Sequence, residues 1–446
     1  MTTLPDTSAR DETQDDKDVF GPNGPNSAMA WSRRTSMRAG LGMRPPRTFS
    51  ALRHRNFRLF WFGGLISVIG TWMQIVAQGW LVYELTGSSL LLGVVSFVGS
   101  MPTFFFSIPA GVWVDRYNRR TILIVTQTAQ MLLAFALAEL TRRGIVEVWH
   151  IVVLSALLGV VNAIDAPARQ ASVQDMTSRE DLMNAIALNS TMFNLARVVG
   201  PTLAAAAVAI TGTAAAFYIN GFSFLAMIGA LFLMRFPAYQ PKPSHPSMWH
   251  TAMEGVGYIR THPTISAMIS LMAVSSLFGM SYNTLMPVWA GDVLQIGVTG
   301  FGWLMTAIGI GAVIAGLSLA SLGNFRAKGA LLTTGSIIFP LSLLVVAFSR
   351  WLPLTLLALV VVGWATVSQG ALTNTLIQST VPDDLRGRVL SIYLLMFFGF
   401  MPLGSLLAGF VAERFGPPTA IIVGAAVTLV FAVGVVVRAP RLRALE

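Results

Sequence analysis

Cysteine is absent from the 446-residue chain, which excludes disulfide bridges and metal sites built on thiolates. Histidine is scarce, and the five histidines lie outside the long apolar runs, which argues against a histidine proton relay inside a bilayer. The phosphate-binding pattern G-x-x-x-x-G-K-[ST] is missing too, which disfavours direct coupling to ATP by this chain. We therefore predict no metal site, no cofactor and no catalytic constellation, so that the protein is not an enzyme.

Charged residues are also few. They make up 11% of the chain, against 54% hydrophobic residues, and this is too apolar for a soluble protein of such length. The net charge of +10 could suggest a nucleic-acid-binding protein. The arginines, however, lie mostly in short connectors and in the N-terminal tail, which is the pattern of a membrane protein. We predict the lipid bilayer and a small molecule as partners, and no nucleic acid.

Long apolar runs are what the chain does have. Twelve of them follow residue 50, and each is near the roughly 20 residues that a helix needs to cross a bilayer. The predicted spans are 59–83, 90–113, 121–141, 148–171, 184–210, 214–234, 264–289, 300–321, 330–348, 353–377, 389–412 and 418–437. The sequence thus predicts an all-α polytopic membrane protein with 12 transmembrane helices.

Arginine and lysine collect on one side of these spans. That side holds the N-terminal tail, the 235–262 connector, Arg116, Arg119, Arg120, Arg179, Arg326, Lys328, Arg386, Arg388, Arg438, Arg441 and Arg443. The other side holds only Arg142, Arg143, Arg350 and Arg414. The basic side marks the cytoplasm, and an even number of spans then places both termini inside. We expect a multi-pass protein of the bacterial cytoplasmic (inner) membrane.

Polar stretches divide the chain into parts. Residues 1–50 show no helical or strand period, and the long connector opens with four prolines before Trp249, Met253, Val256 and Ile259 recur at helical spacing. That spacing predicts a short helix lying on the cytoplasmic membrane surface. The predicted parts are a disordered cytoplasmic tail (1–50), an N-terminal six-helix bundle (51–235), a linker with the interfacial helix (236–263), a C-terminal six-helix bundle (264–437) and a cytoplasmic C-terminal tail (438–446).

The connector between spans two and three carries one carboxylate and three arginines within ten residues, Gly111-Val112-Trp113-Val114-Asp115-Arg116-Tyr117-Asn118-Arg119-Arg120. Its pattern, G-x-x-x-D-R-x-x-R-R, resembles the loop signature of the major facilitator superfamily. The resemblance implies two six-helix bundles with the substrate site between them near the midplane. Charge-assisted contacts there can lock the cytoplasmic face and break when it opens. The alternative is a basic loop that sets topology alone. The gating candidates are Gly111, Asp115, Arg116, Arg119 and Arg120.

Asp165 is the one acid clearly inside a predicted span, with Arg169 four residues further on and Arg197 deep in span five. Charges at such depth should face the bundle interior and have partners. One hypothesis is that Asp165 alternates between protonated and ionised forms and so couples proton entry to substrate exit. The other is a permanent pair between Asp165 and an arginine that holds spans four and five together.

Several amides inside spans are candidates for the cavity wall, because an unpaired amide in lipid is costly. They are Gln74, Gln78, Asn162, Asn189, Asn194, Asn283, Gln369 and Asn374. Gly200 and Pro201 are the predicted helix kink of span five. This pair resembles the end of the antiporter signature of proton-driven exporters, although Ala204 and Ala205 stand where that signature has glycines.

Further segments narrow the likeness. They are Arg55-Asn56-Phe57-Arg58-Leu59-Phe60-Trp61, Gly70-Thr71-Trp72-Met73-Gln74 and Asp165-Ala166-Pro167-Ala168-Arg169-Gln170. They resemble the enterobactin-exporter branch of the drug:proton antiporters, which includes siderophore and macrolide exporters. Over residues 50 to 437, the resemblance implies proton-driven efflux of a medium-sized amphipathic molecule, such as a siderophore, antibiotic or other drug, by alternating access.

Two other functions remain open from the sequence. One is a proton-coupled importer or facilitator of a small metabolite, which the direction of flux in everted vesicles would distinguish. The other is a membrane sensor that does not transport. We expect the protein to use the proton gradient as its energy source and to function as a monomer.

Overall fold

The computed structural model describes residues 49–235, 248–323 and 325–445. The predicted tail up to residue 48 and the proline-rich start of the linker, 236–247, lie outside these ranges. The described helices are α1 (Arg55–Thr86), α2 (Ser89–Arg116), α3 (Arg119–Arg142), α4 (Val148–Asp175), α5 (Leu182–Thr211), α6 (Thr213–Leu233), α7 (Met248–Thr261), α8 (Pro263–Val293), α9 (Gly297–Leu322), α10 (Lys328–Phe348), α11 (Leu352–Thr380), α12 (Asp383–Phe415) and α13 (Pro417–Arg438).

Twelve of these helices, all except α7, are long and apolar enough to cross a membrane. The prediction of 12 transmembrane helices is confirmed. Short connections make successive helices antiparallel, so that all odd-numbered spans begin on the same face. We call the face on which α1 begins and α13 ends the basic face, and the other the opposite face.

The connections between helices follow ordinary capping chemistry. The Ser88 hydroxyl accepts a hydrogen bond from the backbone N–H of Leu91 (3.2 Å), and Asn118 caps α3 in the same way. Gly87 ends α1 with a φ of 61°, a left-handed conformation that favours glycine. These devices allow tight reversals at the membrane surface.

α8 is not a regular α-helix. It contains two π-helical turns, Ser275–Gly279 and Trp289–Val293, on either side of an α-helical stretch that includes Pro287. Such turns widen a helix locally and leave backbone groups displaced from the usual ladder. The α-helical stretch between the two turns contributes Asn283 and Pro287 to the lining of the cavity described below.

The first six spans, α1 to α6, pack into one bundle, and α8 to α13 pack into the other. The bundles meet along two helix pairs, α2 with α12 and α5 with α9. In each pair, the second helix of one bundle packs on the fifth helix of the other. This exchange is the arrangement expected of a parallel repeat about an axis along the membrane normal. The predicted major facilitator fold of two six-helix bundles is confirmed.

Glycine permits the backbones to touch where the bundles meet. A Cβ at Gly93 would lie 2.7 Å from the Ser405 carbonyl oxygen, and one at Gly409 would lie 2.6 Å from the Ser89 carbonyl oxygen. In the other pair, a Cβ at Gly309 would lie 2.9 Å from the Arg197 carbonyl oxygen. Small residues at such crossings replace the side-chain layer by direct backbone contact.

The linker helix α7 packs against protein. Glu254 forms an ion pair with Arg388 at the start of α12, and a Cβ at Gly255 would lie 2.8 Å from Ile392 Cδ1. Met253 is 57% exposed, whereas Ile259 packs on the core. The helix predicted from the apolar spacing is therefore present, and its contact with α12 is one that the spacing did not indicate.

Candidate functional site

A cavity of about 400 Å³ lies between the two bundles. It is lined from α1 to α6 on one side and from α8, α9 and α12 on the other. The lining positions on α1, α2, α8 and α9 all fall in the half of each helix that is nearer the opposite face. The polar lining residues are Thr71, Gln74, Gln78, Ser96, Ser100, Gln130, Ser155, Asn162, Arg197, Asn220, Asn283 and Thr284. A volume of this order suits a small organic molecule.

Four of the eight predicted amides line this cavity: Gln74, Gln78, Asn162 and Asn283. The Asn220 side chain donates to Gln74 Oε1 (2.5 Å), and Gln78 donates to the Ser155 hydroxyl (2.9 Å). These bonds tie α1 to α6 and α4, so the amides hold the wall together while facing the cavity.

The other four amides lie elsewhere. Gln369 is 1% exposed in the C-terminal bundle and donates to the hydroxyls of Ser275 (3.1 Å) and Ser336 (3.2 Å). Asn374 accepts from Gln378 on the same helix. On α5, Asn194 donates to a backbone carbonyl, and the buried Oδ1 of Asn189 has no hydrogen-bond partner in the described part of the chain.

Asp165 is 6% exposed inside the N-terminal bundle and accepts four hydrogen bonds. Its Oδ1 accepts from the Thr126 hydroxyl (2.7 Å) and from Gln127 Nε2 (2.9 Å), both on α3. Its Oδ2 accepts from Arg169 Nε (3.3 Å) and Nη2 (3.2 Å). The remaining Arg169 nitrogen, Nη1, is buried without a partner in the described residues.

The ion pair therefore lies within α4 and joins it to α3 through Thr126 and Gln127. It does not include Arg197 and does not connect α4 to α5. Pro167, between Asp165 and Arg169, leaves their spacing along the helix intact, as both are in one continuous helix.

A chain of amides leads from Asp165 to the cavity. Gln127 Nε2, which donates to Asp165, also lies 3.1 Å from Gln130 Oε1, and Gln130 Nε2 donates to Asn162 Oδ1 (2.8 Å). Gln130 and Asn162 both line the cavity. The carboxylate is thus connected to the cavity through three neutral side chains. Gln127 and Gln130 were not among the predicted residues, because a lone glutamine in an apolar run carries no sign of which neighbour it will face.

Arg197 lies on the cavity wall. Its guanidinium carbon is 5.6 Å from the centre of the Trp72 ring, a cation–π arrangement. Three residues on, a Cβ at Gly200 would clash with Trp72 Cβ. Gly200 therefore lets α5 approach α1 closely, and Pro201 follows it within the continuous helix.

The cavity is closed toward the opposite face by contacts between the bundles. The Tyr83 hydroxyl donates to Asp292 Oδ1 (2.5 Å), and the rings of Trp80 and Phe301 stack with centroids 6.3 Å apart.

At the neighbouring helix pair, Glu413 Oε2 accepts from the Ser88 hydroxyl (3.0 Å) and from the backbone N–H of Leu90 (3.1 Å). A carboxylate from one bundle thus caps the N-terminus of α2 in the other, where the helix dipole favours negative charge.

The basic connector after α2 makes contacts within its own bundle. Arg119 pairs with Asp175 (2.5 Å) at the end of α4, and Arg120 donates to the carbonyl oxygens of Leu231 (2.9 Å) and Phe232 (3.1 Å) at the end of α6.

The other gating candidates of this connector are Gly111, Asp115 and Arg116. Arg116 is exposed. A Cβ at Gly111 would meet no atom of the described residues within 4 Å, so no close helix approach among them depends on this glycine. The Asp115 side chain lies outside the described part of the structure.

The start of the N-terminal bundle is also anchored on the basic face. The Ala51 backbone N–H donates to Asn184 Oδ1 (2.9 Å), and His54 Nε2 lies 2.8 Å from Asp181 Oδ2. Hydrogen bonds from Ser50 and then from His54 hold the pKa of Asp181 below its usual value. This cluster fixes the entry to α1 against the entry to α5.

The sequence also matches a known family over the whole described chain. The profile of the transmembrane secretion effector family matches residues 46–446. The chain belongs to this major facilitator family.

Its relatives are transporters. The chain is 26% identical to the staphyloferrin A transporter of Staphylococcus aureus, over 80% of this chain and 90% of that protein. It is 27% identical to the multidrug efflux pump Tap of Mycolicibacterium fortuitum, over 87% and 96% of the two chains. It is 22% identical to macrolide efflux protein A of Streptococcus pyogenes, over 81% and 90%. The protein is a multi-pass membrane transporter, not an enzyme.

Solved structures show the same fold at low sequence identity. A mutant of the peptide transporter POT has a TM-score of 0.71 at 13% identity, covering 88% of this chain and 95% of that one. A bacterial homologue of the human lysosomal transporter Spinster, inward-facing and occupied, has a TM-score of 0.66 at 15% identity, covering 90% and 98%.

Proposed function

We propose that the transporter is a proton-coupled exporter of a medium-sized amphipathic molecule, working by alternating access. The observation that carries the proposal is the amide chain between the buried carboxylate of Asp165 and the cavity, since a coupled transporter needs a group that can hold a proton near the substrate. The relatives named as a multidrug efflux pump and a macrolide efflux protein support export, and the staphyloferrin A transporter supports an organic substrate.

The basic face is proposed to lie in the cytoplasm of a bacterial inner membrane, with both termini on that side. Arginine and lysine outside the spans collect there, and this bias sets the orientation of membrane proteins. The opposite face then lies outside, and the structure is closed toward the exterior.

In this state, four donors occupy the two carboxylate oxygens of Asp165. A proton that reaches Asp165 when the outer face is open would neutralise it and remove the counter-charge of Arg169. Arg169 would then move toward another partner. Through this movement, protonation of Asp165 would change the packing of α3, α4 and α1. Substrate release and proton uptake would thus occur in the same open state.

Everted membrane vesicles test the proposal directly. With a pH gradient imposed, vesicles that contain the wild-type protein should accumulate siderophores or antibiotics from a screening panel, and collapsing the gradient should stop accumulation. Flux that runs out of everted vesicles would instead indicate an importer. Compounds that bind without gradient-driven movement would indicate a sensor.

A first prediction concerns the outer closure. Glu413→Gln removes the charge that caps α2 across the bundle interface and leaves a neutral acceptor. We expect the closed state to lose about 1 kcal/mol, which raises the population of outward-open molecules about fivefold. Because the chain has no cysteine, Ser100→Cys provides a single label in the cavity wall. Its reaction rate with an impermeant maleimide added to intact cells measures the change.

Glu84→Gln is the matched control for that experiment. Glu84 is exposed near the same face, and the described structure shows no hydrogen bond or ion pair for its carboxylate. The labelling rate should stay at the wild-type value in this variant. Equal rates in Glu84→Gln and Glu413→Gln would contradict a specific role of the Glu413 cap in closure.

A further inference from the structure

The cavity has a charge of one sign. Among the described residues that line it, Arg197 is the one with a formal charge, and the other polar groups are hydroxyls and amides. Asp165, the nearby carboxylate, is separated from the cavity by its amide chain and is already bound to Arg169. A molecule in the cavity therefore meets a positive charge that no acidic residue of the wall compensates.

The Arg197 guanidinium has unused donors. In the part of the chain that the structure describes, it makes no hydrogen bond or ion pair, and its neighbours are the face of the Trp72 ring and the Tyr282 side chain. A ring that covers one face of a guanidinium leaves the N–H groups at its edge available. Within the span of a membrane protein, a charge should have a partner. Here the partner must come from the contents of the cavity.

The shape of these donors selects the chemistry of that partner. The N–H groups of arginine form a planar fork that matches the two oxygens of a carboxylate. The rest of the wall offers apolar and aromatic contacts from Trp72, Phe224 and Phe301, with amides between them. An amphipathic anion with a flat apolar part and a carboxylate suits both features. A cationic molecule would lie next to an uncompensated positive charge.

We infer that Arg197 is a substrate-binding residue and that the exported molecule is an amphipathic anion whose carboxylate pairs with it inside the cavity. This inference deepens the proposed function by naming the substrate class. It assigns Arg197 a role separate from the Asp165–Arg169 pair, and it places the acidic group of the substrate at the middle of the bilayer, between α5 and α1.

The test uses two xanthene dyes of related skeleton and opposite charge. Fluorescein carries a carboxylate, whereas rhodamine 6G is a cation in which that group is esterified. Fluorescence anisotropy titrations with the purified full-length protein should give a Kd for fluorescein at least about tenfold lower than for rhodamine 6G. Equal affinities, or a preference for rhodamine 6G, would overturn the inference without use of any variant.

Variants then assign the preference to a residue. Arg197→Gln should weaken fluorescein binding about tenfold or more, with rhodamine 6G binding unchanged or tighter. Arg197→Lys keeps the charge but loses the fork, and its affinity for fluorescein should be intermediate. Arg179→Gln removes a positive charge from an exposed loop on the basic face and should change neither affinity. An equal loss of both dyes in Arg197→Gln would show a structural role and contradict the inference.

Dye binding needs no gradient, so its outcome is independent of the export proposal. Charge-selective dye binding without pH-gradient-driven accumulation in everted vesicles would contradict the export proposal but support the anion site. Accumulation of a panel compound together with equal dye affinities would support export but contradict the anion site.

Discussion

Asp165→Asn should abolish pH-gradient-driven efflux and destabilise the protein, whereas the double variant Asp165→Asn/Arg169→Gln should regain stability without regaining efflux. The single substitution leaves the buried Arg169 without a counter-charge. Breaking a buried ion pair in this way costs about 3–5 kcal/mol. The double substitution removes both charges and leaves two neutral amides that can hydrogen-bond in their place.

The two variants separate the two hypotheses for Asp165. If the pair is only structural, any change that restores the packing of α3 and α4 restores transport as well. If Asp165 carries the proton, an amide cannot replace it, because it does not titrate in this range. Thermal unfolding in detergent measures the stability of each variant. Gradient-driven uptake into everted vesicles measures its transport.

Glu180→Gln is the control for loss of a carboxylate as such. Glu180 lies exposed in the connector before α5, and the change should leave both stability and efflux near wild type. Efflux by the double variant that still depends on the pH gradient would refute proton carriage by Asp165 and leave the pair a structural one.

The amide chain explains why these effects should reach the substrate. Gln127 contacts Asp165 directly, and Gln130 contacts Asn162 on the cavity wall. Such neutral bridges transmit a change of charge by reorienting their amides, since each amide has both a donor and an acceptor. A change at Asp165 therefore alters which hydrogen-bonding groups the cavity presents.

The helices could be predicted from the sequence because burial in lipid requires long apolar runs. The main differences between the predicted spans and the observed helices lie at the helix ends. Span eleven was predicted at 389–412, but α12 begins at Asp383 and ends at Phe415. Residues 383–388 lie outside the predicted span but are helical, and Asp383 and Asp384 are in the first turn, where acids are favourable. The two π turns of α8 have no signature in apolar periodicity.

The site was harder to predict than the fold. Hydropathy shows that Gln369 lies in a span, but it cannot show that its neighbours are Ser275 and Ser336 and not the cavity. From the sequence, either Arg169 or Arg197 could pair with Asp165, because a charge at that depth needs a partner. In the structure, Arg169 on the same helix pairs with Asp165, and Arg197 lines the cavity. Which face of a helix turns inward depends on packing between helices far apart in sequence.

The largest conformational effect should come from the glycine contact between α2 and α12. In Gly93→Ala/Gly409→Ala, each new Cβ would lie within 2.7 Å of a backbone carbonyl oxygen of the other bundle. Backbone atoms cannot rotate away, so the helices must separate. Overpacking of this kind costs the closed state about 1–3 kcal/mol, or a factor of about 5 to 150 in its population.

The separation of α2 from α12 should change both the accessibility of the cavity from outside and the rate of transport. The Ser100→Cys reporter should react faster with an external impermeant maleimide by that factor. Efflux should fall, because molecules held open to the outside cannot collect substrate from the cytoplasm. The substitutions leave the helix contacts inside each bundle unchanged, so the protein should still fold.

Gly229→Ala/Gly434→Ala is the matched control for this contact. These glycines lie within α6 and α13, and a Cβ at either would meet no atom within 4 Å in the part of the chain that the structure describes. Both pairs of substitutions gain the same helix propensity, about 1 kcal/mol per residue, and differ in the clash alone. The control should show wild-type labelling and efflux. If both double variants label at the same rate, the α2–α12 contact does not hold the outer face closed, and closure must be assigned to the Tyr83–Asp292 side instead.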